Sequence, residues 1–245
     1  MKVKQVNIID CPCTPYKSVN EAKEQVLQLL KDKQGGYTVA INALKINQYH
    51  KDNIVKSIID NAVIQVPDGF GAVYGLKLLH KINTIKLDMP GLILDIANEY
   101  HYKVFFLGTN EENNKLAVDN VKNNYPGIVI AGRNNGFFND LKEIKEKLAF
   151  SLPDIVMIAM GSPKQELISA ELVKDFPKIL FIGCGGRLDI IAGKLKRAPE
   201  FYIKWNIEWF YRLIKQPKRI KQQIRLISFL IMLYKYHWFK EKHKI

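Results

Sequence analysis

Short apolar runs rich in β-branched residues alternate along this chain with stretches of helical periodicity. The runs Val3–Ile9, Tyr37–Ile41, Val63–Val66, Lys103–Leu107, Ile128–Ala131, Asp154–Ala159 and Ile179–Ile182 predict strands. Several are apolar throughout, as suits parallel strands covered on both faces. Between them, Ser18–Lys31, Leu44–Asn61, Gly71–Leu79, Gly91–Tyr100, Glu111–Tyr125, Leu141–Phe150, Pro163–Lys174 and Glu200–Lys215 predict helices. The alternation predicts an α/β layered fold with a mostly parallel sheet. No internal repeat or low-complexity linker breaks it.

Four predicted strands run straight into polar or Gly-rich turns. Val66 meets Pro67-Asp68-Gly69, Leu107 meets Gly108-Thr109-Asn110, Ala159 meets Met160-Gly161-Ser162-Pro163, and Ile182 meets Gly183-Cys184-Gly185-Gly186. In an open parallel sheet such turns lie at the carboxyl ends of strands, where ligand crevices form. Free N–H groups at helix starts there favour a phosphate. Asp68 is placed for a general base, although Pro-Asp-Gly is equally a good turn. Ser162 as N-cap, Pro163 at the first helical position and Gln165 three residues after Ser162 read as a capping box. Lys164 and Glu166 fall outside that explanation and fit either plain helix surface or ligand contact.

The turn Gly183–Gly186 is not Gly-x-Gly-x-x-Gly, and the acidic residue of a nicotinamide site is missing at its usual distance. There is no Walker A lysine motif and no Asp-x-Asp pair, and the five histidines show no zinc spacing. A reaction without metal or cofactor is the simpler expectation. Cys11, Cys13 and Cys184 make no disulfide framework and suit a reducing cytoplasm.

Charge changes the picture. The 245 residues carry a net +13, yet residues 194–245 alone hold 14 Lys/Arg against three acids, a net of +11. The preceding 193 residues are near neutral at +2. The chain therefore divides into a body, 1–193, and a basic C-terminal appendage, 194–245, whose partner is anionic. Lys194, Lys196 and Arg197 crowd one short turn, either a solvated surface or a diphosphate contact. Farther on, Ile220, Ile224, Ile227, Ile231 and Tyr234 share one helical stripe, opposite Lys218, Lys221, Gln222 and Arg225. The apolar stretch Leu226–Tyr234 is about half of the roughly 20 residues that span a bilayer. A helix lying in the headgroup region is expected, with Lys218, Arg219, Lys221 and Arg225 on anionic lipid. A helix packed on the body or on a second copy of the chain is the alternative. Bulky aliphatics among the cations, without a binding motif, argue against nucleic acid.

With these residues laid out, the chain resembles the WecG/TagA/CpsF family of glycosyltransferases (glycosyltransferase family 26) from about Asn7 to Arg225. The pieces that carry the resemblance occur in family order. They are Ile41-Asn42-Ala43, Val66-Pro67-Asp68-Gly69, Met89-Pro90-Gly91, Phe106-Leu107-Gly108, the run Gly161 to Glu166, Asp189 through Ala192-Gly193-Lys194, Lys196-Arg197-Ala198-Pro199, and Glu208 to Leu213 followed by Pro217-Lys218-Arg219. The resemblance implies a Rossmann-like fold with helices on both sheet faces. It implies an inverting, metal-independent transfer of an N-acetylmannosamine-like sugar from a UDP-sugar to a polyprenyl-diphosphate-linked sugar in cell-surface polysaccharide synthesis. The enzyme would attach peripherally to the inner face of the cell membrane. On this likeness Asp68 is the base, and Asn42 and Gln165 are its active-site companions. The implied substrate contacts are Thr38, Gly69, Gly108, Gly161, Lys164, Glu166, Gly185, Asp189, Lys196, Arg197 and Arg212. Two positions depart from the family pattern: Ala40 stands where threonine is common, and Asp88 where arginine is. Thr38, on the same side of its strand as Ala40, is a candidate replacement donor. The departures leave open a non-catalytic UDP-sugar-binding scaffold. They also leave open another donor sugar.

Overall fold

A computed structural model describes residues 3–195, 199, 201–202 and 220–242, with side chains in the last segment from Arg225. The chain opens with a hairpin rather than the single predicted strand. β1 (Val6–Ile8) pairs antiparallel with β2 (Cys11–Cys13). Ile9 and Asp10 turn between them with φ of 49° and 60°, a left-handed conformation that ends the first run early. The hairpin does not join the main sheet as a strand. It covers that sheet's edge, where Thr14 donates its N–H to the Gln65 carbonyl at 2.7 Å.

The remaining elements alternate as the pattern predicts. In chain order they are α1 (Val19–Lys31), β3 (Gly36–Ile41), α2 (Ala43–Tyr49), α3 (Asn53–Asp60), β4 (Ile64–Pro67), α4 (Gly69–His80), α5 (Met89–Tyr100), β5 (Lys103–Gly108), α6 (Glu111–Asn124), β6 (Val129–Asn134), α7 (Leu141–Ser151), β7 (Ile155–Ala159), α8 (Lys164–Asp175), β8 (Leu180–Gly183), α9 (Arg187–Ile191) and α10 (Ile220–Lys242). The predicted helix Leu44–Asn61 is in fact two. Asp52 accepts hydrogen bonds from the N–H groups of Ile54 and Val55, capping α3 and breaking the run. The predicted helix Glu200–Lys215 lies outside the described residues save for Phe201 and Tyr202, which are helical.

Six strands make one parallel sheet in the order β4-β3-β8-β7-β5-β6. Alternation along each strand splits the core into two layers. Val156 and Ile158 of β7 join α2, α3, α7 and α8 on one face. Ile155, Met157 and Ala159 join α1, α5 and α6 on the other. The fold is thus α/β, with both sheet faces covered by helices. From β5 the chain crosses to one side and from β7 to the other, so the turns that follow these strands diverge, the arrangement at which ligand crevices open.

α10 returns to the body and lies along α2 and α4. Phe229 and Leu233 are fully buried in the first core layer. The Asn47 side chain donates to the Arg225 carbonyl at 2.8 Å. Close approach of α10 is possible because α4 offers Gly71, while Gly75 makes room for Ile8 of β1. A Cβ on Gly71 would fall 3.2 Å from the Phe229 ring, and one on Gly75 2.7 Å from Ile8. Of the stripe predicted to be apolar, Ile227, Ile231 and Tyr234 face outward and are more than half exposed, joined by Trp238. The helix therefore has two apolar faces: one seated on the body, one bare. No helix among the described residues is long and apolar enough to cross a membrane.

Candidate active site

The register of β3 and β4 sets Ile41 opposite Pro67, so Asn42 and Asp68 leave the sheet side by side. Asp68 N–H donates to the Ile41 carbonyl at 2.7 Å and ties the two strand ends together. Asn42 caps α2, its Oδ1 accepting from Lys45 N–H at 3.1 Å. Asp68 holds the cap position of α4, but its side chain caps nothing and is exposed. Gly69 follows with φ +72°, and open space stands where its Cβ would be. The carboxylate is thereby left free at the rim instead of being spent on the turn.

Next to this pair lies a buried polar cluster. Lys45 Nζ meets Glu166 Oε1 at 2.5 Å, with only 7% and 4% of the two side chains exposed. The same oxygen accepts from Gln165 Nε2 at 3.2 Å, and Gln165 Oε1 accepts from Gly185 N–H at 3.0 Å. A Cβ on Gly183 would stand 2.6 Å from Gln165 Nε2 and would displace that amide from its partners. The carboxyl ends of β3, β7 and β8 are thus linked through Asn42, Lys45, Glu166, Gln165 and Gly185. Glu166 Oε2 is buried without a partner.

The predicted capping box is not formed. α8 starts at Lys164, with Pro163 in the cap position and a cis Ser162–Pro163 peptide. Gln165 cannot reach back to Ser162 because its amide is engaged with Gly185 and Glu166. Gly161 turns at φ +72° and is exposed. Exposed Lys164 sets its ammonium 5.8 Å from the Phe138 ring centre. Asp189 Oδ1 is taken by Thr109 Oγ1 at 2.5 Å and Asn113 Nδ2 at 2.8 Å, pinning α9 to the turn after β5. Gly108, with its backbone against Ala159, closes that turn. Thr38 is not brought to the rim. It is buried in mid-strand between Ile64 and Ile182, one layer below Ala40. Lys196, Arg197, Arg212, Lys218 and Arg219 lie outside the described residues, as does the Lys221 side chain; Arg225 is exposed. Burial pushes the Cys11 and Cys184 thiols up to about 12, so neither supplies a thiolate nucleophile near neutral pH. Among the described residues, no three His, Cys, Asp or Glu side chains are grouped to hold a metal ion.

The carboxyl ends of a parallel sheet, with an exposed carboxylate and several Gly-rich turns, can take a phosphorylated ligand and move a proton. Compared with known proteins, residues 6–243 match the Glycosyl transferase WecG/TagA/CpsF family. The chain belongs to that family. Two curated relatives carry the name N-acetylglucosaminyldiphosphoundecaprenol N-acetyl-beta-D-mannosaminyltransferase. One, from Bacillus spizizenii (strain ATCC 23059 / NRRL B-14472 / W23), is 29% identical over 237 residues, covering 96% of this chain and 90% of the relative. The other, from Bacillus subtilis (strain 168), is 32% identical over 199 residues, covering 79% and 75%. As a WecG/TagA/CpsF member this chain is an enzyme of the hexosyltransferase type.

Within this WecG/TagA/CpsF chain the unusual Asp88 has a structural partner. Arg187, at the start of α9, sets Nη1 2.8 Å from Asp88 Oδ2, and Asp88 Oδ1 accepts from Gly91 N–H at 3.3 Å. A guanidinium therefore stands beside Asp88, delivered from the turn after β8. Its Nε is buried without a partner. Neither Arg187 nor Lys45 was singled out from the sequence. The partners of their ion pairs lie 99 and 121 residues away, and no local pattern marks such a pair.

Proposed function

We propose that this glycosyltransferase moves an N-acetylmannosamine-like sugar from a UDP-sugar to a polyprenyl-diphosphate-linked N-acetylglucosamine, with inversion and without a metal ion. The observation that carries the reading is the exposed, uncommitted Asp68 carboxylate beside Asn42 at adjacent strand ends. The relatives' printed names supply the sugar and the lipid-linked acceptor. An acceptor hydroxyl oxygen attacks the anomeric carbon from the face opposite UDP. The bond from that carbon to the phosphate oxygen breaks, its electron pair leaving with UDP. Asp68 takes the hydroxyl proton as the new bond forms.

Asn42 spends its Oδ1 on the α2 cap, which leaves Nδ2 to orient a sugar. Gln165 acts by holding the Gly183–Gly186 turn, and Glu166 by holding Gln165. That turn and Gly161–Pro163 face the diphosphate, with Lys164, Lys196, Arg197 and Arg212 as counter-charges. The absence of an Asp-x-Asp pair supports the metal-free reading. The bare stripe of α10 and the basic residues Lys218, Arg219, Lys221 and Arg225 hold the enzyme at an anionic membrane surface, each cation adding on the order of 1 kcal/mol. The site of action is then the cytoplasmic face.

The test is Asp68→Asn, assayed in EDTA with UDP-sugars, a lipid-diphosphate acceptor and mass spectrometry of the product. Loss of about 10² to 10⁴ in kcat with a native fold is expected. Near-normal turnover would overturn the assignment of the base.

A further inference from the structure

Two residues beyond Asp68, Phe70 stands on the first turn of α4, 38% exposed. Its ring stacks on Tyr74 one turn later, with centroids 5.4 Å apart and planes 11° from parallel. Tyr74 in turn meets Tyr234 of α10, with ring centroids 6.3 Å apart and the two hydroxyls in contact. Tyr234 belongs to the bare stripe with Ile227, Ile231 and Trp238. An aromatic surface therefore runs without a break from the neighbourhood of the carboxylate, along α4, onto the outward face of α10. Its geometry is fixed from beneath, because Phe229 sits at Gly71 and Leu233 near Gly75, four residues farther along each helix. Nothing in the transfer chemistry uses these rings.

We propose that Phe70, Tyr74 and Tyr234 form the track along which the lipid-linked acceptor approaches, its sugar lying on Phe70 and its first isoprene units on Tyr74 and Tyr234. This rests on the acceptor assigned above. The occupant follows from the chemistry of the surface. The two tyrosine hydroxyls bond each other, so the track offers ring faces and few hydrogen bonds. A free saccharide would find little there beyond stacking, whereas a chain emerging from a bilayer is apolar along its length. One end of the track joins the stripe that faces lipid, and the other ends beside the base.

The experiment compares two acceptors, N-acetylglucosamine diphosphate carried on a long polyprenol and the same diphosphate capped with a methyl group. Tyr74→Ala and Tyr234→Ala should raise the KM for the polyprenyl acceptor about tenfold and leave the methyl-capped KM and the donor KM within twofold. Phe70→Ala should raise both acceptor KM values. Tyr74→Phe keeps the ring and should restore the long-chain KM. Vesicle binding of Tyr74→Ala, whose side chain lies on α4 and not on the bare stripe, should stay at the level of the unaltered protein. The track is overturned if the alanine variants at 74 and 234 leave the long-chain KM within twofold, if both acceptors lose equally, or if vesicle binding of Tyr74→Ala falls in step with its KM. Turnover of neither acceptor by the unaltered enzyme overturns this inference and the proposed function together.

Discussion

At the residue scale, the contrast between Asp68 and Glu166 separates two uses of a carboxylate. Asp68 is exposed and unpaired at a strand end. Glu166 is buried against Lys45. Breaking such a buried pair from one side typically costs about 3–5 kcal/mol, because the survivor is left charged and alone. Lys45→Met should therefore lose that much in urea unfolding. Replacing both partners, as in Lys45→Met with Glu166→Leu, should recover most of the stability. The double variant should still be slow, by up to about 10²-fold in kcat, because Gln165 loses its acceptor and the Gly185 turn its anchor. Full stability with unaltered kcat would make the pair a packing device only. The place of Asp68 at a strand end was legible in the sequence because an apolar run stops there at Pro-Asp-Gly, whereas Asn42 came only through the family resemblance. Thr38 shows the limit of that reasoning. Strand parity gives the side of the sheet correctly but says nothing about depth, and Thr38 lies in the interior.

At the element scale, the parallel strands were legible because burial on both faces demands uninterrupted apolar runs. The exceptions each have a local cause. Asp52 captures two N–H groups and divides a helix that periodicity alone joins. Ile9 takes a left-handed φ that its residue type disfavours, so nothing in the sequence announces the β1–β2 turn. For α10, a wheel reading finds the bare stripe but not the seated one, because Phe229 and Leu233 sit in a stretch that is apolar nearly all round. What decides between the faces is on the partner helix. Gly71 is a poor helix former, yet it lets α10 come close. Gly71→Val would set a branched side chain where a Cβ alone already stands 2.9 Å from Ala43 and 3.2 Å from Phe229. Overpacking of this kind costs roughly 1–3 kcal/mol. The expected outcome is faster hydrogen exchange throughout α10 with little change in β3, β5, β7 and β8. Uniform exchange rates across both regions would mean that α10 is not separately seated.

At the scale of the whole molecule, charge and shape converge on one side. The body is nearly neutral, the C-terminal fifth holds almost all of the excess positive charge, and its described helix turns Ile227, Ile231, Tyr234 and Trp238 outward. Removing the appendage is a poor test of membrane attachment, because Phe229 and Leu233 are part of the body's core and their loss would expose the Gly71–Gly75 face. Charges placed on the bare stripe separate the two roles. Ile231→Glu and Trp238→Glu alter side chains that are 53% and 61% exposed, so the fold should be undisturbed. On vesicles containing anionic lipid, each should weaken binding by several-fold through lost burial and added repulsion. Raising salt should weaken binding of the unaltered protein without abolishing it, since ions screen the cations but not the apolar insertion. Binding abolished by salt and indifferent to Ile231→Glu would identify the attraction as purely electrostatic. The bare stripe would then need another partner, and a second copy of the chain, detectable by sedimentation, would be the first to seek.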